Sequence, residues 1–313
     1  MEGYYRCLLV FETLFSLLVF SLTAVFHYFG EYGPDSPLKD YFDNNTRFIF
    51  EKPRYLVEMI TPSIWTFWMW APVYGWQVAW IVFAFVLLCR TRMPVVLTPF
   101  FFVFFLSACG FNLGWVLLWT KEMMDASLAF ITATALCLFI TMALLYHRVN
   151  KLSAIESRLW RRDFVAIQWL PVNGLALYAS WSSVVAFINL AVVLKDTVQM
   201  EEHVVVTIIF ACFACIMLFW FCVDCFVFIH YTAYTLTVFP VLLVGFIGMF
   251  WRGEHKLPKE SDRNGIMLVT LLAVAAAMTV VKVIFFGWQL YKDRRVARIV
   301  ITNNKYEMQA STE

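Results

Sequence analysis

The chain encodes an all-α, polytopic membrane protein of about eight transmembrane helices, and three observations say so. First, 62% of its 313 residues are hydrophobic and only 15% charged, against about 25% charged in soluble domains. Second, the apolar residues fall into long stretches near the roughly 20 residues that a helix needs to cross the hydrocarbon core. Third, those stretches lack the period-2 alternation of a barrel strand, so each must satisfy its backbone polar groups as a helix.

The predicted crossings are 7–29, 62–89, 95–119, 127–147, 173–194, 204–222, 231–251 and 266–290. The first is too long, and too poor in small residues near His27, to read as a cleaved signal peptide. Asn44-Asn45-Thr46, in the loop that follows, is a glycosylation sequon. The second crossing opens at Thr61-Pro62 and carries Trp65, Trp68, Trp70, Trp76 and Trp80. At about 100° per residue, Trp65, Trp68, Trp76 and Trp80 share an arc of about 120°, while Trp70 points elsewhere. That arc reads either as an interfacial belt or as a wall facing a ligand. Gln77, beside Trp76, needs a hydrogen-bond partner at that depth.

In the third crossing Asn112, Trp115 and Trp119 share one face, and in the fifth Tyr178, Ser182 and Asn189 do, with Trp181 on the flank. Buried asparagines either glue helices together or orient a ligand. The sixth and seventh crossings are separated weakly, by Asp224 and His230, which leaves seven spans as the competing count. Cys212, Cys215, Cys222 and Cys225 form two Cys-x-x-Cys pairs. Corresponding members of the two pairs are ten residues, about 15 Å, apart along a continuous helix, so no metal site is expected and the cysteines read as small buried hydrophobes. Lys282 lies in the eighth crossing and Glu12 in the first. Both fall nearer the cytoplasmic end, so an intramembrane Glu12–Lys282 pair is possible.

With the N-terminus in the cytoplasm, that side receives 13 of the basic residues and the opposite face 10, with 14 acids on the opposite face. The positive-inside rule therefore places both termini in the cytoplasm; the identity of the membrane stays open. The tail 293–313 is polar and arginine-rich, suited to anionic headgroups. A net charge of +2 makes no case for a nucleic-acid partner. No catalytic constellation and no cofactor motif stand out, so a non-enzymatic protein without a cofactor is expected. The expected partners are membrane lipid, an apolar small molecule and, through small residues such as Ala273 and Ala275, another copy of the chain.

The ordered stretches TPSIWTFWMWAPVYGWQVAW, FNLGWVLLW and LYASWSSVVAFINLAVV resemble the signature of the translocator protein family, the tryptophan-rich sensory (TspO-MBR-like) proteins. The likeness covers roughly residues 7–195 and is closest to longer relatives with extra C-terminal helices. It implies a five-helix core over 1–195, three further helices over 196–292 and the tail from 293. It also implies a pocket for a flat apolar ligand, tetrapyrrole or sterol-like, near Trp65, Trp68, Asn112, Trp115, Trp181 and Asn189. Trp76, Trp119 and Tyr178 join that set from the helical faces read above. The chain departs from the family pattern at the end of the fifth helix, where VVLKDTVQM has no tyrosine. A loose sterol-like pattern stands instead at Leu144-Leu145-Tyr146-His147-Arg148. The function expected is binding, and possible transport or sensing, of that ligand. The alternative is secondary transport of a small polar or ionic substrate through Glu12 and Lys282.

Overall fold

The computed structural model of the protein describes residues 2–31, 54–90, 96–152, 158–253 and 263–310. Asn44 lies outside these residues. Among them there is no strand, as expected for a chain whose long apolar runs must bond their own backbone.

In chain order the helices are α1 (Glu2–Glu31), α2 (Trp70–Cys89), α3 (Pro99–Thr120), α4 (Met124–Leu152), α5 (Arg158–Ile167), α6 (Asn173–Asp196), α7 (Glu202–Cys222), α8 (Ile229–Thr232), α9 (Val238–Gly253) and α10 (Arg263–Ala310). Local chemistry sets several ends. Thr98 caps α3 by accepting from Phe101 N–H, with Pro99 at the first helical position. Glu122 and Gln199 take φ of 59° in the tight turns after α3 and α6, a left-handed conformation uncommon outside glycine.

Among the described residues, seven segments are long and apolar enough to cross a membrane: Tyr4–Phe29, Ile64–Cys89, Pro99–Thr120, Met124–Leu152, Asp163–Asp196, Glu202–Val227 and Arg263–Lys292. The expected crossing at 231–251 is different. Its helix, α9, has 16 residues, about 24 Å at 1.5 Å per residue, short of the roughly 30 Å hydrocarbon core. The cause is an interruption before it. Val223–Val227 is a π-helical turn, α8 is four residues long, and residues 233–237 are not helical. The fifth crossing is longer than expected and continuous from Asp163, because a π-helical turn at Gln168–Val172 absorbs Pro171. A proline removes one backbone donor and clashes with the preceding turn, and the wider π turn relieves both.

The helix pairings α1·α2, α2·α6, α6·α4, α4·α3 and α3·α1 close a five-span ring. The later helices pack around one side of it. α9 lies against α6 and against the turn that precedes α2, while α7 and α9 both contact α10. The share of its apolar window that is buried is therefore highest for the span containing α6, at 67%. Three glycines permit close approaches, among them Gly114, where a Cβ would lie 2.4 Å from the Phe130 ring. A Cβ at Gly174 would stand 2.9 Å from Trp76 Cδ1 and 3.0 Å from Trp80 Cδ1, and one at Gly248 would meet the Thr66 side chain.

Candidate functional site

α1 contributes to the ring interior through a strict heptad of positions: Leu9, Thr13, Ser16, Phe20, Thr23 and His27 are all buried. Spacing of 4, 3, 4, 3 and 4 keeps one narrow stripe facing inward. The hydroxyls of Thr13, Ser16 and Thr23 donate to carbonyls one turn earlier, so they add no unmet polarity to that stripe. His27, near the end of the span, enters the aromatic interior. Its ring lies 4.5 Å from Trp70 and 5.8 Å from Trp115, centre to centre.

Around His27 an aromatic cluster forms from four helices. Trp70 is its hub, with ring centres 5.5 Å from Tyr74, 5.7 Å from Trp115, 6.3 Å from Tyr178 and 6.2 Å from Trp181. Phe20 closes one edge against Tyr74 and Tyr178. Tyr74 joins the polar groups: its hydroxyl is 2.8 Å from His27 Nδ1 and donates to Asn112 Oδ1 at 3.2 Å. Edge-to-face and offset geometries such as these suit the aromatic quadrupole.

The second helix departs from the arc expected of it. Trp65 and Trp68 face outward, at 43% and 73% exposure, and Trp70 is buried. Residues Ile64–Met69 form a 3-10 helix, and the α-helix starts only at Trp70. Three residues per turn stack Trp65 directly above Trp68, so both take the outward face together. A 100° rotation does not apply across that junction. Trp76 is half-buried away from the cluster, its indole N–H donating to the Trp169 and Leu170 carbonyls of the π turn before α6. Gln77 finds its partners: it donates to the Val73 and Gly174 carbonyls and accepts from Trp80 Nε1 at 2.6 Å.

Asn112, Trp115, Trp119, Tyr178, Trp181 and Asn189 are all buried, and all but Asn189 lie in or beside the cluster. Trp119 extends it from Trp115, at 6.1 Å. Asn189 acts between helices. With its carbonyl turned toward α3 and α4, it accepts from Trp115 Nε1 and Ser127 Oγ and donates to Met124 O. That orientation leaves both ends satisfied and ties α6 to α3 and α4.

Five other polar atoms in this region are buried without a protein partner: Trp70 Nε1, Asn112 Nδ2, Tyr178 Oη, Trp181 Nε1 and Ser182 Oγ. Three of them can only donate, and the two hydroxyls can do either. An unpaired buried group costs about 1–3 kcal/mol, so five together are a substantial local cost. The segment 54–63 ties across the nearby helix ends. Tyr55 and Ile60 are buried there; Tyr55 donates to Glu122 at 2.8 Å, and Arg54 pairs with Asp196 through two bonds of 2.5 and 3.0 Å. Burial first, and the Glu122 carboxylate second, push the Tyr55 phenol up to about 12.

Lys282 is not paired with Glu12. Its ammonium donates to Asp224 Oδ2 at 2.6 Å and to the Thr232 carbonyl at 3.0 Å. The interruption after α7 brings Asp224 and Thr232 to the same face of α10. That helix packs on α7 and α9, whereas α1 packs on α2 and α3. Glu12 Oε2 is buried on α1 without a hydrogen bond. Cys215 and Cys222 are exposed and Cys212 is half-buried, so of this quartet Cys225 alone is buried, and Cys215 and Cys222 face outward rather than filling the interior. Tyr146, in the sterol-like pattern, is engaged in the fold: its hydroxyl is 2.6 Å from Thr235 Oγ1.

Neither the curated proteins nor the solved structures gave a match to this chain. The family model described as TSPO-like protein matches residues 13–288, a range that runs through the five-span ring and on to the Lys282 region of α10. That match extends over most of the chain, and the protein is a multi-pass membrane member of the TSPO-like family.

Proposed function

We propose that the protein binds a flat apolar ligand, tetrapyrrole or sterol-like, inside the five-span ring at the cluster centred on Trp70, and that this binding serves its carriage or sensing. One observation carries the reading. Four unpartnered polar atoms, on Trp70, Asn112, Tyr178 and Trp181, belong to the residues of a single aromatic cluster, and a fifth is on Ser182, the next residue of α6. A ligand that stacks on those rings and offers acceptor atoms at its edge would give the unmet donors hydrogen bonds. Aromatic contacts add about 0.5–1.5 kcal/mol each beyond area burial.

Tryptophan-fluorescence titration of the purified protein with protoporphyrin and with a sterol tests this. Saturable quenching is expected, weakened in Trp115→Phe and Trp181→Phe and unchanged in Trp68→Phe, whose ring faces outward. No saturable response to either ligand would remove the ligand-binding reading. The second reading is transport of a small polar or ionic substrate, and the buried charges of Lys282 and Asp224 favour it. Neutralising Lys282 would then abolish uptake of that substrate while leaving porphyrin quenching intact.

A further inference from the structure

The Asp224–Lys282 pair stands apart from the aromatic cluster and is built from an unusual stretch of backbone. Asp224 lies on the π turn that ends α7, and Thr232 ends the short helix α8. Both charged side chains are almost wholly enclosed, at 3% and 4% exposure. The interrupted segment is held by the rest of the fold through polar contacts. Asn173 donates to the Tyr234 carbonyl at 2.8 Å and accepts from Leu236 N–H at 2.7 Å, and Thr237 donates to the Asn173 carbonyl. Irregular backbone at membrane depth is tolerated where it is buried in protein or lines water. Here it packs against protein on one face and borders a cavity on the other.

The second face is a small cavity, large enough for about one water. Asp224, Cys225, Lys282, Phe285, Trp288 and Gln289 line it. On α10, Gln289 is seven residues beyond Lys282, two turns along the same face, and Lys292 follows one turn later over the Trp288 ring. Both lie toward the C-terminal end of the span from the buried pair. A buried carboxylate and ammonium that share a carbonyl of an interrupted helix, beside a water-sized cavity, are the parts of a proton or cation site.

We propose that Asp224 and Lys282 form a proton-binding site whose occupancy controls the contact between the interrupted segment 228–237 and α10. A proton delivered through the cavity bonds to an Asp224 carboxylate oxygen, and its carrier leaves as neutral water. The carboxylate becomes a carboxylic acid, Lys282 keeps its three N–H bonds, and the site passes from neutral to one positive charge. An ammonium left without its counter-charge is poorly tolerated in a buried setting. Lys282 then draws in water, and the segment separates from α10. The other titratable groups facing this region are Tyr146 from α4 and Cys222 and Cys225 from the end of α7, while α8 carries His230 in its sequence. None of these bridges the two helices as the carboxylate does.

Infrared difference spectra on acidification, with the protein in lipid nanodiscs, test the proposal alongside backbone hydrogen exchange across 228–237. The wild type is expected to gain, reversibly, the band of a single protonated carboxyl that is missing from Asp224→Asn and from the double variant Asp224→Asn/Lys282→Met. The double variant removes both charges together and keeps side-chain volume, so it guards against simple misfolding, which its thermal unfolding would report. Exchange in 228–237 is expected to speed up on acidification at least tenfold beyond its intrinsic pH dependence in the wild type, and not in the double variant. Identical difference spectra for the wild type and both variants would overturn the proposal and leave the pair as a fixed clamp on the interrupted helix. An Asp224-dependent band without faster exchange would overturn the control of the α10 contact.

Discussion

Individual positions in this bundle differ sharply in what they tolerate, because close helix approaches concentrate at a few glycines. Gly174 faces the indoles of Trp76 and Trp80 at 2.9 and 3.0 Å from where a Cβ would lie, and both rings are themselves fixed by hydrogen bonds. Neither can yield without breaking a bond. Gly174→Ala is therefore expected to destabilise by about 1–3 kcal/mol, the usual range for overpacking. Gly110, also helical, has open space for 4 Å around the position a Cβ would take. Gly110→Ala is expected to be neutral or slightly stabilising, from helix propensity worth about 1 kcal/mol. Thermal unfolding in detergent checks both, and equal melting temperatures for the two variants would contradict the packing argument. Glycine identity alone does not separate these positions in the sequence; the facing helix does.

The second span shows how an element's first turn decides which residues reach the interior. The run of tryptophans is conspicuous in the sequence, yet the 3-10 start rotates Trp65 and Trp68 outward and delivers Trp70 to the hub of the cluster. Trp70→Ala removes a ring that contacts His27, Tyr74, Trp115, Tyr178 and Trp181. It is expected to cost about 3–5 kcal/mol, as for other buried aromatics cut to alanine. Trp68→Ala, at the lipid-facing surface, is expected to change stability by less than about 0.5 kcal/mol. Chemical or thermal unfolding of the pair distinguishes them. On α1, by contrast, the inward face is readable: the heptad from Leu9 through Thr13, Ser16, Phe20 and Thr23 ends on His27. A regular helix without interruption keeps its period, so the sequence pattern survives into the structure.

Across the whole molecule, the segment before the second span acts as a clasp over the ends of α3, α4 and α6. Its Tyr55 phenol is buried and bonded to Glu122, and its pKa is pushed from the ordinary 10.0 up to about 12. The folded state thus holds the phenolic proton more tightly than the unfolded chain. The stabilisation is fully present below pH 10 and is lost as pH rises from there through about 12. Melting temperature is expected to fall across that window, with a shallower fall in Tyr55→Phe, which has no proton to lose. Parallel curves for the two proteins would exclude the clasp tyrosine as the cause. The Arg54–Asp196 pair beside it contributes little, since the arginine side chain is 67% exposed.

Composition and run length by themselves determined that this chain is a helical, multi-pass membrane protein, because lipid leaves an apolar backbone few other ways to satisfy its hydrogen bonds. The shared faces read for Asn112, Trp115 and Trp119 and for Tyr178, Ser182 and Asn189 are likewise buried, since they lie on uninterrupted helices where 3.6-residue periodicity holds. The tertiary structure decided what periodicity cannot express. It set the 3-10 entry that exchanges Trp70 for Trp65 and Trp68. It supplied the interruption that shortens α9 to 16 residues and brings Asp224, rather than Glu12, to Lys282. Both outcomes arise at departures from the regular α-helix, where one residue of extra or missing rotation changes every neighbour that follows, and that rotation is fixed by the helices packed against it.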